Sequence, residues 1–362
     1  MLAILQIKIV AYFYISILKI VMDSLTQIIL GAACGEAVLG KKIGNKALLF
    51  GAIGGTIPDL DVFFGRLFYS NEIDIMLFHR GFMHSILFSI LAAFILGWLV
   101  HKLYNNGKRL HTTTQKDWIQ LFFWALFTHP LLDCFTPYGT QLFAPFSNYR
   151  VAFNNIAVAD PLYTVPFLIA MIVLLFYKRQ SNKRRLCFKV GVGLSSMYML
   201  FTIFNKLHID SVFKSSLVQN SFNYNRFSTQ PSILNNVLWY GIAETDSTYQ
   251  VGYYSLLDTA DEFSGWQTFP KKRDLNLEDY QDVKDLAWFS NDYYNVESED
   301  NGDYIYKDLR YPLIETQDGY KAVFNLKLYK TDNRLDMKPF APKMDDFKFS
   351  MHALWTRVKG VK

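Results

Sequence analysis

At 362 residues, 51% hydrophobic and 17% aromatic, the chain has room for two domains and is too apolar for an ordinary soluble enzyme. Its formal net charge of +5 does not point to nucleic acid, because the Lys and Arg sit in short loops between apolar runs, where they bear on topology. Cys34, Cys134 and Cys187 are far apart and form no CxxC pair, so neither a disulfide framework nor a thiolate metal cluster is indicated.

A helix that crosses a bilayer needs about 20 mostly apolar residues, fewer inside a bundle. In chain order, Leu2–Val21 is the first apolar run; Lys8 and Lys19 interrupt it, and no small-x-small site precedes Met22, so an anchor, or a start assigned too early at Met1 rather than Met22, is expected over a cleaved signal. Ser24–Leu39 and Lys46–Ile57 follow as weaker, Gly/Ala-rich candidates, suited to close helix contact and to a tilted or partly re-entrant path. Ser85–His101, Trp118–Leu132, Leu162–Tyr177 and Leu186–Lys206 complete the series.

Thirteen basic residues lie in three loops, around Lys41–Lys46, Lys102–Lys116 and Lys178–Lys189, which alternating spans place on one side. The loops between them hold only Arg66, Arg80 and Arg150. By the positive-inside tendency the thirteen face the cytoplasm, and segments 58–84 and 133–161, with everything after 207, face outward. The fold class expected is therefore mainly α: a polytopic helical membrane domain over 22–207 in a bacterial inner membrane, and a C-terminal extracytoplasmic α+β domain over 208–362. In that second domain Asn236–Ala243, Tyr249–Ser255 and Tyr320–Tyr329 read as strands, Glu244–Ser247 as a turn and Asp282–Phe289 as a short helix. Its aromatics Trp239, Tyr240, Tyr253 and Tyr254 read as core and cross-strand pairs.

Three motifs fall at the outward ends of spans. The first is Pro58-Asp59-Leu60-Asp61, where proline ends an apolar stretch and presents two carboxylates. The second is His79-Arg80-Gly81-Phe82-Met83-His84-Ser85, and the third His129-Pro130-Leu131-Leu132-Asp133, whose i,i+4 spacing puts imidazole and carboxylate on one helix face. Asp160-Pro161 returns a further carboxylate to the same surface. Any one of these residues has an ordinary reading as a helix cap or interfacial group. Ionisable groups at membrane depth are costly, however, and three co-sided motifs favour a shared centre. His and Asp without Cys suit zinc, manganese or iron as divalent cofactor. Such an ion lowers the pKa of water to about 7 and holds a phosphoryl oxygen. Arg80 would steady that anion, and Asp61 or His84 would accept the proton. The glycines Gly51, Gly54 and Gly55 lie in an apolar segment with no following Lys, so they read as helix packing rather than a phosphate loop.

In order and spacing these motifs, extended by Thr136-Pro137-x-Gly139, resemble the family of membrane-bound metal-dependent hydrolases of the YdjM type over roughly residues 22–180. That family is similar at its site to the zinc-dependent phospholipase C and nuclease superfamily. The resemblance implies metal ligation by Asp59, Asp61, His79, His84, His129 and Asp133, to which position adds Asp160. The chain departs from the family pattern at Gln27, where a histidine is common, so one metal position is altered, completed by Asp23, or absent. Glu36 falls on the opposite face of the same helix and cannot substitute.

The function expected is hydrolysis of a small-molecule or lipid-derived ester, a phosphoester in the first instance, beside membrane lipids and without nucleic acid. A transporter or metal-handling protein using the same ligands is the alternative. It is disfavoured because the ligands cluster at span ends and no internal repeat is visible.

Overall fold

The computed structural model describes residues 24–273, 277, 279–300, 302–316, 319–339 and 347–360. The expected anchor at 1–21 and Asp23 lie outside the described residues. Helix α1 covers 24–43, followed by α2 (Asn45–Thr56), α3 (Asp61–Phe68), α4 (Glu72–Phe78), α5 (Ile86–Tyr104), α6 (Gln115–Asp133), α7 (Pro161–Leu175) and α8 (Asn182–Gln219).

Six of these helices, α1, α2 and α5 to α8, form the bundle. Glycines set the α1–α2 crossing: a Cβ on Gly31 would lie 2.4 Å from the Gly51 carbonyl oxygen, and one on Gly51 would lie 2.2 Å from that of Gly31. Backbone against backbone is the contact that small residues permit. Trp118, Leu121 and Phe122 of α6 are buried against α2 and α5, while α7 covers α1 through Phe167, Met171 and Leu174, with Cys187, Phe188 and Val192 of α8 packed against the same cluster.

The outer faces are as apolar as the interior. Leu91, Phe94, Ile95 and Trp98 are exposed on α5, and Leu186, Val190, Met197, Phe201 and Phe204 on α8. A helix that is apolar all round while its outer side chains lack protein neighbours belongs in lipid. Two described helices, Ile86–Tyr104 and Asn182–Gln219, are long and apolar enough to cross a membrane. A third qualifies if Asn45–Thr56 and Pro58–Phe68, bent by 43°, make one broken span. This is fewer than the six segments that the sequence marks over the described residues. Helix α6 carries Lys116, Asp117 and His129, and α7 is only 15 residues long.

Charged groups within the bundle are paired. Arg184, counted with the basic loops, is buried: its Nε and Nη2 donate to Glu36 at 2.8 and 2.6 Å, and Nη1 donates to Asn45 and to the ends of α7 and its following turn. Glu36 is thereby committed far from the His/Asp motifs, in agreement with its predicted face.

The composition change near 207 is not a helix end. Helix α8 runs through it to Gln219 and lays Ile209, Val212, Phe213 and Leu217 on the first of two sheets. That sheet is the meander β1 (Arg226–Pro231), β2 (Leu238–Glu244), β3 (Thr248–Ser255) and β4 (Ser264–Pro270). After α9 (Gln281–Phe289), a second antiparallel meander follows: β5 (Tyr294–Ser298), β6 (Tyr304–Thr316), β7 (Gly319–Thr331) and β8 (Arg334–Pro339), with α10 (Phe347–Val358) last. Trp239 pairs with Tyr254 and Tyr240 with Tyr253 across β2–β3, as expected of core aromatics. Alternation sends Tyr240 and Tyr253 toward the second sheet and Trp239 and Tyr254 toward α8, which makes both faces of the first sheet apolar.

The second sheet is capped by α9 and by Ile73, Met76 and Leu77 of α4, so a helix of the N-terminal half completes the core of the C-terminal one. Arg334 clamps this joint between Asp74 and Asp282. Asn71 donates to the Leu335 carbonyl, and Asn236 to that of Asn155. The C-terminal domain therefore sits on the segments that carry the His/Asp motifs.

Replacing Gly31 or Gly51 by Leu should separate α1 from α2 and cost on the order of 1–3 kcal/mol or more, as overpacking does. A lower thermal unfolding midpoint in detergent is the expected readout; a midpoint unchanged in both variants would refute the backbone crossing.

Candidate metal centre

Local chain geometry brings the three motifs to one point. Pro58 ends α2 and opens a single 3-10 turn, Pro58–Leu60, that projects Asp59 before Asp61 starts α3. Helix α4 stops at His79, and Arg80 adopts φ 60°, a left-handed conformation uncommon outside glycine. This turn aims the Arg80 N–H at Asp61 Oδ2 (3.0 Å) and gives its carbonyl to Gln141 N–H. A second 3-10 turn, Phe82–His84, delivers His84, and Ser85 caps α5 by accepting from Phe88 N–H. His129 and Asp133 share the last turn of α6.

Asp59, His84 and His129 each offer one ligand atom, all within 4.8 Å of one another. Asp59 Oδ1 lies 3.5 Å from His84 Nε2 and 3.3 Å from His129 Nε2. Asp133 Oδ2 lies 3.4 Å from the same two nitrogens. Each imidazole nitrogen thus faces two carboxylates. His129 Nδ1 approaches the Gly55 carbonyl at 2.6 Å, and a carbonyl only accepts, so Nδ1 carries the proton. In the neutral ring that leaves Nε2 a lone pair aimed at two anionic oxygens. His84 Nε2, His129 Nε2 and Asp133 Oδ2 are all buried without a hydrogen-bond partner. Buried acceptors facing acceptors require a positive species between them, either a proton on each ring or a metal ion. A His fixed through its far nitrogen by a backbone carbonyl is the usual arrangement of a metal ligand. The donor set of imidazole and carboxylate fits zinc, manganese or iron.

Around this core stands a second layer. Asp61, fully buried, bonds His79 Nδ1 at 2.8 Å, lies 3.0 Å from His84 Nδ1, and takes the Arg80 N–H. It braces His79 by a hydrogen bond and faces His84 Nδ1 as a charge contact. Arg80 sends Nη2 toward Asp133 Oδ1 (3.3 Å) and Nη1 to Thr136 (2.9 Å). Gln27 Nε2 donates to the same Asp133 oxygen at 2.9 Å and to the His129 carbonyl at 3.2 Å. The residue at the departure from the family pattern thus reaches the centre, holding a ligand in place from behind.

Side-chain exposure is 27% at Asp59 and 25% at His79, against 0% at His84 and 1% at His129 and Asp133, so the centre opens along the Asp59–His79 edge. Burial lowers the His79 pKa against the pull of Asp61, which keeps this ring neutral at pH 7.

Of the residues expected at the site, Asp59, His84, His129 and Asp133 meet, and Asp61, His79 and Arg80 adjoin them. Asp160 does not join: it is the N-cap of α7, accepting from Leu162 N–H at 2.9 Å and from the Tyr198 hydroxyl at 2.8 Å, and burial raises its pKa. Of its two expected readings, ligand and helix cap, it takes the cap. Cys134 stays out of metal chemistry as well, because burial and then the Asp133 charge push its thiol up to about 12. The sequence reading did not name the Gly55 carbonyl, and it named Thr136 in the extension of the motifs without giving it a role. The carbonyl has no side-chain signal and follows only from the glycine-lined helix crossing.

Residues 22–209 match the family described as YdjM inner membrane protein. Among curated proteins the chain is similar to the uncharacterized protein YfhP of Bacillus subtilis (strain 168), 29% identical over 162 residues. That match covers 42% of this chain and 46% of YfhP, so it spans less than half of that relative. No solved structure matches the chain.

Gln27→Leu should retain the fold and weaken metal binding about 10- to 100-fold, as loss of a supporting hydrogen bond does. Asp160→Asn should leave metal content unchanged. Chelator competition on both purified variants checks the pair, and a metal loss in Asp160→Asn larger than in Gln27→Leu would reverse the assignment.

Proposed function

The chain belongs to the YdjM inner membrane protein family, and from that membership and the buried cluster we propose that it is a membrane-embedded, metal-dependent hydrolase acting on a phosphoester or lipid-related ester. The observation that carries the reading is the pair of buried imidazole nitrogens, each facing two carboxylates within 3.5 Å, a donor set into which a metal ion fits.

Asp59, His84, His129 and Asp133 would hold the ion, with Gln27, Arg80 and Asp61 fixing their orientation. A divalent ion in such a set acts as a Lewis acid that makes water nucleophilic at neutral pH and stabilises a developing oxyanion. His79 stands at the open edge with Nδ1 held by Asp61, so Nε2 is the atom that takes and returns the proton. Asp61 sets the tautomer and steadies the ring when charged. Asp59 shares the open edge and binds from the solvent side. Arg80 is occupied by Asp133 and Thr136, and its part is to position Asp133.

A substrate drawn from the membrane suits the surroundings. Phe63, Leu67 and Phe68 of α3, at 70, 70 and 71% exposure, and Phe146, at 84%, form an apolar rim around the segments that carry the site. Aromatic residues favour the depth of lipid headgroups. The charge bias of the loops supports a multi-pass arrangement in which the site and the C-terminal domain face outward. The ligands lie where α2, α5 and α6 end rather than midway along them, which favours hydrolysis over transport.

Metal content of the detergent-purified chain, measured by mass spectrometry after identical chelator washing, tests the core of this reading. Wild type should carry roughly stoichiometric zinc, manganese or iron, and His84→Ala and His129→Ala should lose it. A well-folded wild type that neither holds nor regains metal overturns the proposal. In a phosphodiester and phosphomonoester screen, His79→Gln should keep its metal and lose about 10²- to 10⁴-fold in kcat, the range of a general base. Undiminished kcat would remove His79 from the reaction.

A further inference from the structure

Three arginines meet where the site segments touch the C-terminal domain, and their charges do not balance. Arg80 leans on Asp133, and Arg310 of β6 is closed bidentately onto Asp308, with Nη1 reaching the Pro137 carbonyl at 3.5 Å. Arg150 has no carboxylate among the described residues. Its Nη2 donates to the Gly139 carbonyl at 2.9 Å, while Nε and Nη1 are buried without a partner. The guanidinium is stacked among Tyr138, Trp288 and Phe289, with ring centroids 5.0, 5.6 and 5.1 Å away. Rings accept a cation but do not neutralise it. Burial, with the like charges of Arg310 and Arg80, draws its pKa down to about 10, so it remains charged at pH 7.

A buried guanidinium with two unfilled nitrogens and a surplus charge is costly unless an anion completes it. The residue as a whole is half-buried while its two unfilled nitrogens are closed to solvent, so an anion reaches them by displacing part of the aromatic wall. Tyr138 ties this place to the metal centre: Arg80 lies over the same ring as Arg150, at 4.8 Å, and the His79 ring is 5.6 Å from it. We propose that Arg150, walled by Tyr138 and by Trp288 and Phe289 of α9, is an anion subsite that receives a phosphate group of the substrate, and that the C-terminal domain serves to build it. Guanidinium donors match phosphate oxygens in charge and hydrogen bonding. The identification of that phosphate as part of a substrate rests on the hydrolase reading; the anion site itself does not.

Equilibrium dialysis of radiolabelled inorganic phosphate against chelator-treated, detergent-purified full chain separates the two. Wild type should bind phosphate saturably near one per chain without metal. Arg150→Met, which keeps the stem and its packing, should bind at least tenfold more weakly, and Arg150→Lys should lie between. Unfolding midpoints measured without phosphate establish that each variant is folded. If Arg150→Met does not fold, the comparison of wild type with Arg150→Lys decides. Absence of binding to stripped wild type, or equal binding by wild type and the variant compared, overturns the subsite. Arg150→Met should retain wild-type metal content, so loss of the metal reading and loss of this one are distinguishable. Competition by short-chain phosphatidic acid and by glycerol phosphate then assigns the source: a lipid phosphate if the former competes better, a free phosphate ester if both compete equally. Competition by neither overturns the substrate assignment.

Discussion

A neutral imidazole whose Nδ1 proton is committed to a backbone carbonyl has only a lone pair at Nε2, and in His129 that nitrogen faces two carboxylate oxygens inside a helix bundle. No rearrangement of hydrogen bonds relieves the opposition, because the Gly55 carbonyl can only accept. The cluster therefore needs positive charge, from a proton on each ring or from a metal ion, and much of the surrounding structure holds these groups face to face. Gln27 and Arg80 hold one oxygen of Asp133, which leaves the other to face the histidines. Asp61 secures the back of His79 and lies against that of His84. Were these side chains free to rotate, the repulsion would open the centre; fixed, they form a preorganised ligand set.

The Gly55 carbonyl is where it is because α1 and α2 cross at backbone contact. Gly31, Gly51 and Gly55 leave no room for a Cβ at that crossing, and α2 then passes α6 closely enough for Gly54 to meet Phe122 and Ala125. The glycine-rich segment thus has two consequences from one cause: close helix packing, and a main-chain acceptor at the height of His129.

This division accounts for what the sequence disclosed. Asp59, His84, His129 and Asp133 were legible because imidazoles and carboxylates at the ends of apolar runs have few inexpensive explanations, and because i,i+4 spacing fixes His129 and Asp133 on one face whatever the rest of the chain does. Asp160 looked the same by position, yet its spacing to a following proline is also the signature of a helix cap, and pattern alone cannot separate the two. Membrane crossings were legible as apolar runs, but their number was not: burial of polar faces in α6 and the shortness of α7 are properties of packing. In the C-terminal half the hairpin β2–β3 and helix α9 were visible through alternation and amphipathicity. The second sheet was mostly not, since β5, β6 and β8 are defined by neighbours distant in the chain.

The joint between the halves gives the C-terminal domain a physical reason to exist. A sheet domain merely tethered by α8 would need no shared core, whereas here α4, the helix that ends in His79, is packed into the second sheet beside α9. The position of His79 thus depends on the sheet as much as on the bundle. The same contact brings Phe289 against Tyr138 and the Arg310 guanidinium beside the site segments. Loosening the domain would move a site imidazole and part the wall around Arg150 together. Helices α4 and α9, packed on one sheet, thus carry a site imidazole and part of the wall around Arg150 on a shared core.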